Sequence, residues 1–179
     1  MKLRRGEEKD LKFITKADLK NEGYTIIKKE KRSYSCLKKH YKLMKTFIVN
    51  EQKGSFVVED ETRELQVGFI LYRIKNLKNI RSFEVFNKID RKFFPDNGEF
   101  LEVFQLWINP LYRKRGLATL LKKQLEIEAK SRNIKVIYTH TEEKNEHVID
   151  MNLKLGYFEV RKGPIWDETV RVSLIKRLT

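Results

Sequence analysis

The chain has one cysteine, Cys36, which leaves it without a partner for an internal disulfide. Its three histidines, His40, His140 and His147, stand at no zinc-ligating spacing with that cysteine, so no metal site is expected. No run of about 18 apolar residues occurs, and no membrane-spanning helix is expected. The opening MKLRRGEEKD lacks the apolar stretch of a secretory leader. Together these absences predict a reducing, cytoplasmic setting with no membrane partner. Internal repeats, low-complexity linkers and composition breaks are also missing, so residues 1–179 read as one domain.

Positive charge is what the chain has in excess. Its 39 Lys and Arg residues against 25 acids give a formal charge of +14 and a pI near 9.8. A lysine-rich composition can reflect an organism's bias, yet an excess this large also attracts polyanions. Charge alone does not choose among a phosphorylated cofactor, a nucleic acid and an acidic substrate. With 40% hydrophobic and 11% aromatic residues, the length suits one buried core.

The stretch Glu99 to Leu121, EFLEVFQLWINPLYRKRGLATLL, organises the rest. Phe100 to Ile108 is nearly continuous apolar and reads as a buried strand, which Pro110 ends. From Leu117 an apolar stripe follows at helical spacing, Leu117, Leu121, Leu125 and Ala129, with Leu120 and Ile127 beside it. Between strand and helix lies Arg113-Lys114-Arg115-Gly116. Free N–H groups at a helix start, a glycine and three cations would suit a phosphate group. No Gly-Lys-Ser/Thr follows, and only one of the three glycines of a dinucleotide fingerprint is present. From these residues alone, a basic turn whose glycine eases packing is an equal alternative.

Pro110 to Ala118, PLYRKRGLA, resembles the acetyl-coenzyme A signature of the GNAT N-acetyltransferases, Arg/Gln-x-x-Gly-x-Gly/Ala, with Arg113, Gly116 and Ala118 at its defined positions. Asn145 to Tyr157, NEHVIDMNLKLGY, resembles that family's second element, an asparagine opening a helix and a Gly-aromatic pair closing it. The opening MKLRRGEEKDL is similar to the family's first strand and acid-led helix. The resemblance implies an α/β (α+β) fold: a central mixed, mostly antiparallel sheet of six to seven strands flanked by about four helices.

Taken in order, Lys2 to Arg5 reads as a strand, and Glu7, Glu8 and Asp10 as the acidic start of a helix running to about Asn21, ended by Gly23. Tyr24 to Ile27 reads as a short extended piece. Ser33 reads as the N-cap of a helix to Val49, with Tyr34, Leu37, Tyr41, Met44 and Ile48 on its apolar face. The other side carries Lys38, Lys39, Lys42 and Lys45, a solvated face in the simplest reading and, as the family resemblance implies, otherwise a basic face toward the acceptor cleft. Gly54 to Glu59 and Gln66 to Ile74 form an expected hairpin. Leu77 to Asn97, with Phe83, Val85 and Phe86 as apolar anchors, is an insert that could fold over a substrate cleft. Ile134 to Thr139 reads as a strand and Asn145 to Leu155 as a helix capped by Gly156. Tyr157 to Arg161 and Thr169 to Arg177 read as strands broken by Gly163 and Pro164, the second alternating Val170, Val172 and Leu174 against Arg171 and Ser173.

The resemblance implies that the amides of Lys114, Arg115, Gly116, Leu117, Ala118 and Thr119 hold the coenzyme's pyrophosphate. It places the groups that polarise the thioester on the main chain of Leu106, Trp107 and Ile108. Glu102 falls where histone-acetylating members carry a glutamate base; it can equally pair with a nearby cation. Many members have a tyrosine acid seven residues after the asparagine of the second element, but here that position is Asn152. Its carboxamide suits a coenzyme contact, as does Asn145. Tyr138 and Tyr157 are spare phenols expected to pack, and His140 is expected to titrate near neutrality or be structural. The implied activity is acetyl transfer from acetyl-CoA, without a metal, to a primary amine by direct ternary-complex transfer. The acceptor is open: a small polyamine-like or amino-acid amine, an antibiotic, a protein N-terminus or a lysine. Aminoacyl-tRNA is an alternative acceptor, and a non-catalytic coenzyme-binding module another reading. The partners expected are acetyl-CoA and the acceptor, in a monomer or homodimer.

Overall fold

The computed structural model describes residues 1–21, 23, 31–82 and 84–179, with backbone only for 31–36. The extended piece expected at Tyr24 to Ile27, the side chains of Ser33 and Tyr34, and Phe83 lie outside the described residues, and Ser33 is not the N-cap expected, since the helix it was to open already runs from Lys31. Strands β1 (Lys2–Arg5), β2 (Lys53–Asp60), β3 (Leu65–Asn76), β4 (Glu99–Ile108), β5 (Val136–Glu142), β6 (Phe158–Pro164) and β7 (Val170–Arg177) are hydrogen-bonded in the order β1-β2-β3-β4-β5-β7-β6. The helices are α1 (Leu11–Asn21), α2 (Lys31–Val49), α3 (Leu117–Ser131) and α4 (Glu146–Lys154). The sheet is mixed: β4 and β5 run parallel, while β1–β2, β5–β7 and β6–β7 are antiparallel. The chain divides into two compact units, residues 1–72 with 105–121 and residues 73–104 with 122–179.

In the first unit, Leu11, Ile14, Ala17 and Leu19 bury one side of α1, and Met44 and Phe47 bury one side of α2. Helix α1 starts after a capping box between Glu7 and Asp10, and Arg4 holds the buried Asp10 carboxylate at 2.6 and 2.9 Å. Tyr41, expected on the apolar face of α2, is 39% exposed, because the inward stripe runs through Met44 and Phe47 instead.

In the second unit the inward side of α3 is Leu125 and Ala129, continuing from Leu117 and Leu121 as expected. Leu120 and Ile127 do not join it; they are 40% and 61% exposed, being rotated off the stripe. The insert after β3 forms three short 3-10 turns, Leu77–Asn79, Val85–Lys88 and Arg91–Phe93. It is anchored by Val85, Phe86, Ile89 and Phe94, which pack on Phe100, Val136, Tyr138 and Ile175. The Phe86 ring lies 4.8 Å from the rings of both Phe100 and Tyr138. Helix α4 closes as a Schellman motif: Gly156 has φ +84°, its N–H donates to Leu153 O at 2.9 Å, and the Tyr157 N–H donates to Asn152 O at 3.0 Å.

Three expectations about the C-terminal strands need correction. Strand β5 begins at Val136 rather than Ile134, which is buried in the preceding loop. Gly163 and Pro164 do not break the hairpin; they pair with Arg171 and Val170, and the turn follows them. Proline is accommodated because β6 is the last strand of the sheet and one of its sides needs no donors. Nor does β7 alternate between core and solvent. Arg171 and Ser173 are buried along with Val172, Leu174 and Ile175, as an interior strand covered on both faces requires, and Val170 is the exposed one.

Candidate active site

The loop joining β4 to α3 lies in the first unit. Asn109 caps a 3-10 turn, Pro110–Tyr112, accepting from the Leu111 N–H at 3.1 Å. Tyr112 is buried, and its hydroxyl donates to Asp60 Oδ2 at 2.9 Å, which pins the turn. Past it the chain turns left-handed twice, at Lys114 (φ +60°) and Gly116 (φ +77°). The Gly116 carbonyl accepts the first helical bond, from Leu120 N at 2.9 Å. The N–H groups of Leu117, Ala118 and Thr119 are therefore first-turn donors without helical acceptors. A side-chain carbon at Gly116 would meet nothing within 4 Å, so the space in front of the turn is open. Arg113, Lys114 and Arg115 are exposed around it. Arg113 Nε donates to Ile108 O at 3.2 Å and Arg115 Nη2 to Leu111 O at 3.2 Å, bonds that leave both charges without a carboxylate partner among the described residues. Electrostatics and open backbone donors converge on an anion.

The end of β4 in the same unit is fixed from one side. Asn109 N donates to Val67 O at 2.8 Å. Gly68 lets the strand approach, for a Cβ there would come within 2.6 Å of Ile108 Cδ1 and 3.1 Å of the Trp107 carbonyl. Trp107 stacks on Phe69 at 5.9 Å and meets Phe13 edge-on at 5.7 Å. Leu106 N donates to the side chain of Gln105 at 3.2 Å. Leu106, Trp107 and Ile108 are thus brought to one strand end, half-buried or buried.

In the second unit, β4 pairs with β5 only at Leu101↔Ile137 and Glu102↔Tyr138, and the strands then part. Glu102, 3% exposed, stands where they separate. Arg73 grips its carboxylate with both Nε and Nη2, the second contact at 3.1 Å, and Lys75 Nζ lies 3.7 Å away. Lys75 also pairs with Glu84 of the insert and sits 4.8 Å over the Phe86 ring. The Lys75 ammonium holds Glu84 below the usual carboxylate range, against the opposing effect of burial. Arg73 and Lys75 are two apart on β3 and so share a face, but nothing local in the sequence sets that face against Glu102.

Around β5, Tyr138 is buried with its hydroxyl 3.0 Å from Ser173 Oγ, and burial raises the phenol well above its ordinary value. His140 does not titrate near neutrality. Burial lowers it to about 4, Glu102 opposes this, and Arg171, Arg73 and Lys122 reinforce it, so the ring is neutral at pH 7. Its Nδ1 has no hydrogen-bond partner among the described residues. Trp166, 64% exposed, meets His140 edge-on at 5.2 Å and is covered by the Arg171 guanidinium at 4.2 Å.

On α4, Asn145 occupies the N-cap and donates to Thr141 Oγ1 at 3.4 Å. Asn152 is 1% exposed; its Nδ2 donates to Val148 O at 2.8 Å, while its Oδ1 has no partner among the described residues. Tyr157 is buried, its hydroxyl also unpartnered among them, with Lys122 Nζ 4.6 Å from the ring centroid. Lys122 is a surprise. It is 1% exposed and its amine has no hydrogen-bond acceptor among the described residues; the neighbouring Glu126 carboxylate pairs with Lys176 at 2.7 Å. Burial lowers the amine to about 7, with Glu126 opposing and Lys176 reinforcing. It stands three before Leu125 and seven before Ala129, on the inward stripe, which is the periodicity that could have flagged it.

The Acetyltransferase (GNAT) family model matches residues 20–157, and the chain belongs to that family. No curated protein matches the sequence. Among solved structures, Arabidopsis thaliana NAA60 in complex with a bisubstrate analogue is 16% identical with a TM-score of 0.71, covering 98% of this chain and 97% of that one. A Vibrio cholerae spermidine N-acetyltransferase, SpeG, is 19% identical with a TM-score of 0.66, covering 99% and 95%. A ribosomal-protein-alanine N-acetyltransferase from Brucella melitensis is 16% identical with a TM-score of 0.70, covering 99% and 100%. At these identities the likeness is one of fold. Among the described residues no helix is long and apolar enough to cross a membrane, and no group of three His, Cys, Asp or Glu could hold a metal ion.

Proposed function

We propose that this chain, an acyltransferase by family, transfers an acetyl group from acetyl-CoA to a primary amine by direct attack in a ternary complex, with residues 1–179 acting as one catalytic domain. The open, cation-flanked turn at 113–119 carries the reading, since it offers first-turn N–H groups and unneutralised charge to a pyrophosphate. A second complex of Arabidopsis NAA60 contains acetyl-CoA, which supports the same ligand here. Arg113 to Thr119 hold the diphosphate in this reading, and the main chain of Leu106 to Ile108 orients the thioester. A C–N bond forms as the C–S bond breaks. Asn145 helps to fix the start of α4, and the free atom of Asn152 is an acceptor, which suits an N–H or S–H of the coenzyme.

Glu102 is the proposed proton acceptor. Each carboxylate oxygen held by Arg73 keeps a second lone pair for an amine or an intervening water. The bidentate pair favours a second reading, in which Glu102 only fixes Arg73. Glu102→Gln separates them: loss of a general base lowers turnover about 100-fold or more with coenzyme affinity retained, partly rescued at high pH. Near-wild-type rates at pH 7 leave Glu102 as an anchor. Because Glu84 and Glu102 are both engaged by cations, we favour an acceptor with a single amine, such as an amino acid or a protein N-terminus, over a polyamine. Acceptor profiling with labelled acetyl-CoA decides this, and it also covers aminoacyl-tRNA. Absence of thiol release with every acceptor would return the chain to a coenzyme-binding module.

The coenzyme assignment has its own test. Acetyl-CoA at 100 times its Kd should add about 2.7 kcal/mol of stability. Gly116→Glu, which sets an anion in the turn, should abolish that increment. A wild type whose melting temperature ignores millimolar acetyl-CoA would overturn the assignment.

A further inference from the structure

We infer that the paired helices α1 and α2 form a docking surface for the phosphate backbone of a double-stranded nucleic acid, separate from the acetyl-transfer reading and independent of it. Residues 11–49 hold 11 Lys and Arg residues and three acids. Two of those acids, Glu22 and Glu30, fall outside the described residues. The third, Asp18, is buried between the helices, 2.8 Å from His40 Nε2, and accepts from Gln105 Nε2 at 2.7 Å. It neutralises nothing outside.

The cations face water in rows. Lys12, Lys16 and Lys20 recur every four residues along α1 and, with Asn21, are its exposed positions. Such a step spaces charges about 6 Å apart along the axis. On α2, Lys38, Lys42 and Lys45 recur at steps of four and three, with Lys39 alongside, all exposed. Lys45 pairs with Glu8 at 2.9 Å; Lys12, Lys16, Lys20, Lys38, Lys39 and Lys42 have no carboxylate at ion-pair distance among the described residues. Like charges at four-residue steps repel along a helix, and the other two helices avoid the arrangement. Helix α3 sets Glu126 and Glu128 among its lysines, and α4 sets Glu146 and Asp150 against Lys154.

The chemistry narrows the partner. Lysines are point charges, suited to phosphates and unsuited to reading bases bidentately, so binding is sequence-independent. Among the described residues one aromatic, Tyr41, is exposed within the α2 row, too few for the stacking platforms that hold a single strand. Met44 and Phe47 of α2 are turned inward, and the apolar side chains it leaves exposed, Tyr41, Leu43 and Val49, are interspersed with Lys42 and Lys45 rather than gathered into the apolar face a helix inserts into a lipid surface.

The test is fluorescence anisotropy with a labelled 24-base-pair duplex between 50 and 200 mM KCl. Nonspecific binding of this kind has Kd of roughly 1–100 μM near physiological salt, and four to six contacts give a slope of log K on log salt near −4 to −5. Lys12→Gln/Lys16→Gln/Lys20→Gln should weaken binding at least about tenfold and lower the slope by about 2 to 3. The same is expected of Lys38→Gln/Lys39→Gln/Lys42→Gln, so a folding failure in one set leaves the other. Neutralising Lys123, Lys130 and Lys154 instead should change affinity less than about threefold, though it removes equal net charge. The inference fails if the wild type does not bind at 100 μM protein in 50 mM salt, or if all three sets weaken it equally. It also fails if phosphatidylserine vesicles or the single strand are bound in preference to the duplex.

Discussion

At residues 113–119 the chain leaves three cations in water and presents its backbone, with two left-handed residues and nothing in front of the glycine. Around Glu102, Tyr157 and Lys122 it does the reverse, drawing charges and phenols inside: Glu102 is matched by Arg73, while the Tyr157 hydroxyl and the Lys122 amine find no hydrogen-bond partner among the described residues. A backbone device tolerates change in its side chains and fails when the turn itself is blocked. A buried polar network answers to every substitution, because an unmatched group has no water to fall back on. Stability measurements should therefore separate the two regions, and ligand binding should separate them in the opposite sense.

The largest stability effect is expected at Lys122. Its amine loses its proton in the folded protein at about pH 7, while the unfolded chain keeps it until about 10.5. The folded state is thus penalised fully below pH 7, and the penalty disappears as pH rises to 10.5. Lys122→Met should stabilise the protein at pH 7 by on the order of 3–5 kcal/mol and flatten ΔG between pH 7 and 10.5. Denaturant titrations at pH 7, 8.5 and 10 check this; a variant with the wild-type slope would show that the amine finds a partner.

Arg73→Met should act in the other direction, costing about 3 kcal/mol by stranding the Glu102 carboxylate. Adding Glu102→Gln should restore part of that loss. An additive double variant would mean the two side chains are not coupled.

Smaller effects are expected at the edges of each region. Asn152→Ala deletes an unpartnered buried oxygen, so stability should hold within about 1 kcal/mol. If the residue touches the coenzyme, affinity should still fall, by roughly 3- to 100-fold across the range for a neutral to charge-assisted bond. Unchanged affinity would place Asn152 outside the site. Lys114→Gly relieves a non-glycine left-handed residue and should raise stability by up to about 1 kcal/mol. In the exposed turn this is the mildest change offered, and a loss of stability would show that the lysine side chain secures the turn.

The same contrast explains what could be read from the sequence. The strand, turn and helix at 99–131 were legible because their signals are local: an apolar run, a proline stop, a glycine and a helical stripe. The cap at Gly156 was legible for the same reason. Arg73, Lys75 and Glu84 were not, since their meeting with Glu102 depends on strands far apart in sequence. The burial of Arg171 and Ser173 depends on β7 lying between β5 and β6, which no alternation within the strand announces. Lys122 shares the helical phase of Leu125 and Ala129, but a lysine on that stripe carries no local sign that its amine is buried.

One consequence of strand β6 concerns the behaviour of many molecules together. It is a rim strand, with one row of peptide groups unanswered by any neighbour in the sheet. Such a row invites a second molecule to zip on and extend the sheet without limit. Here Pro164 withholds a donor at one end, the register slips between Glu159 and Arg161, and Arg161 and Lys162 bring charge to the rim. A sheet edge that finishes this way resists growth from molecule to molecule along that side.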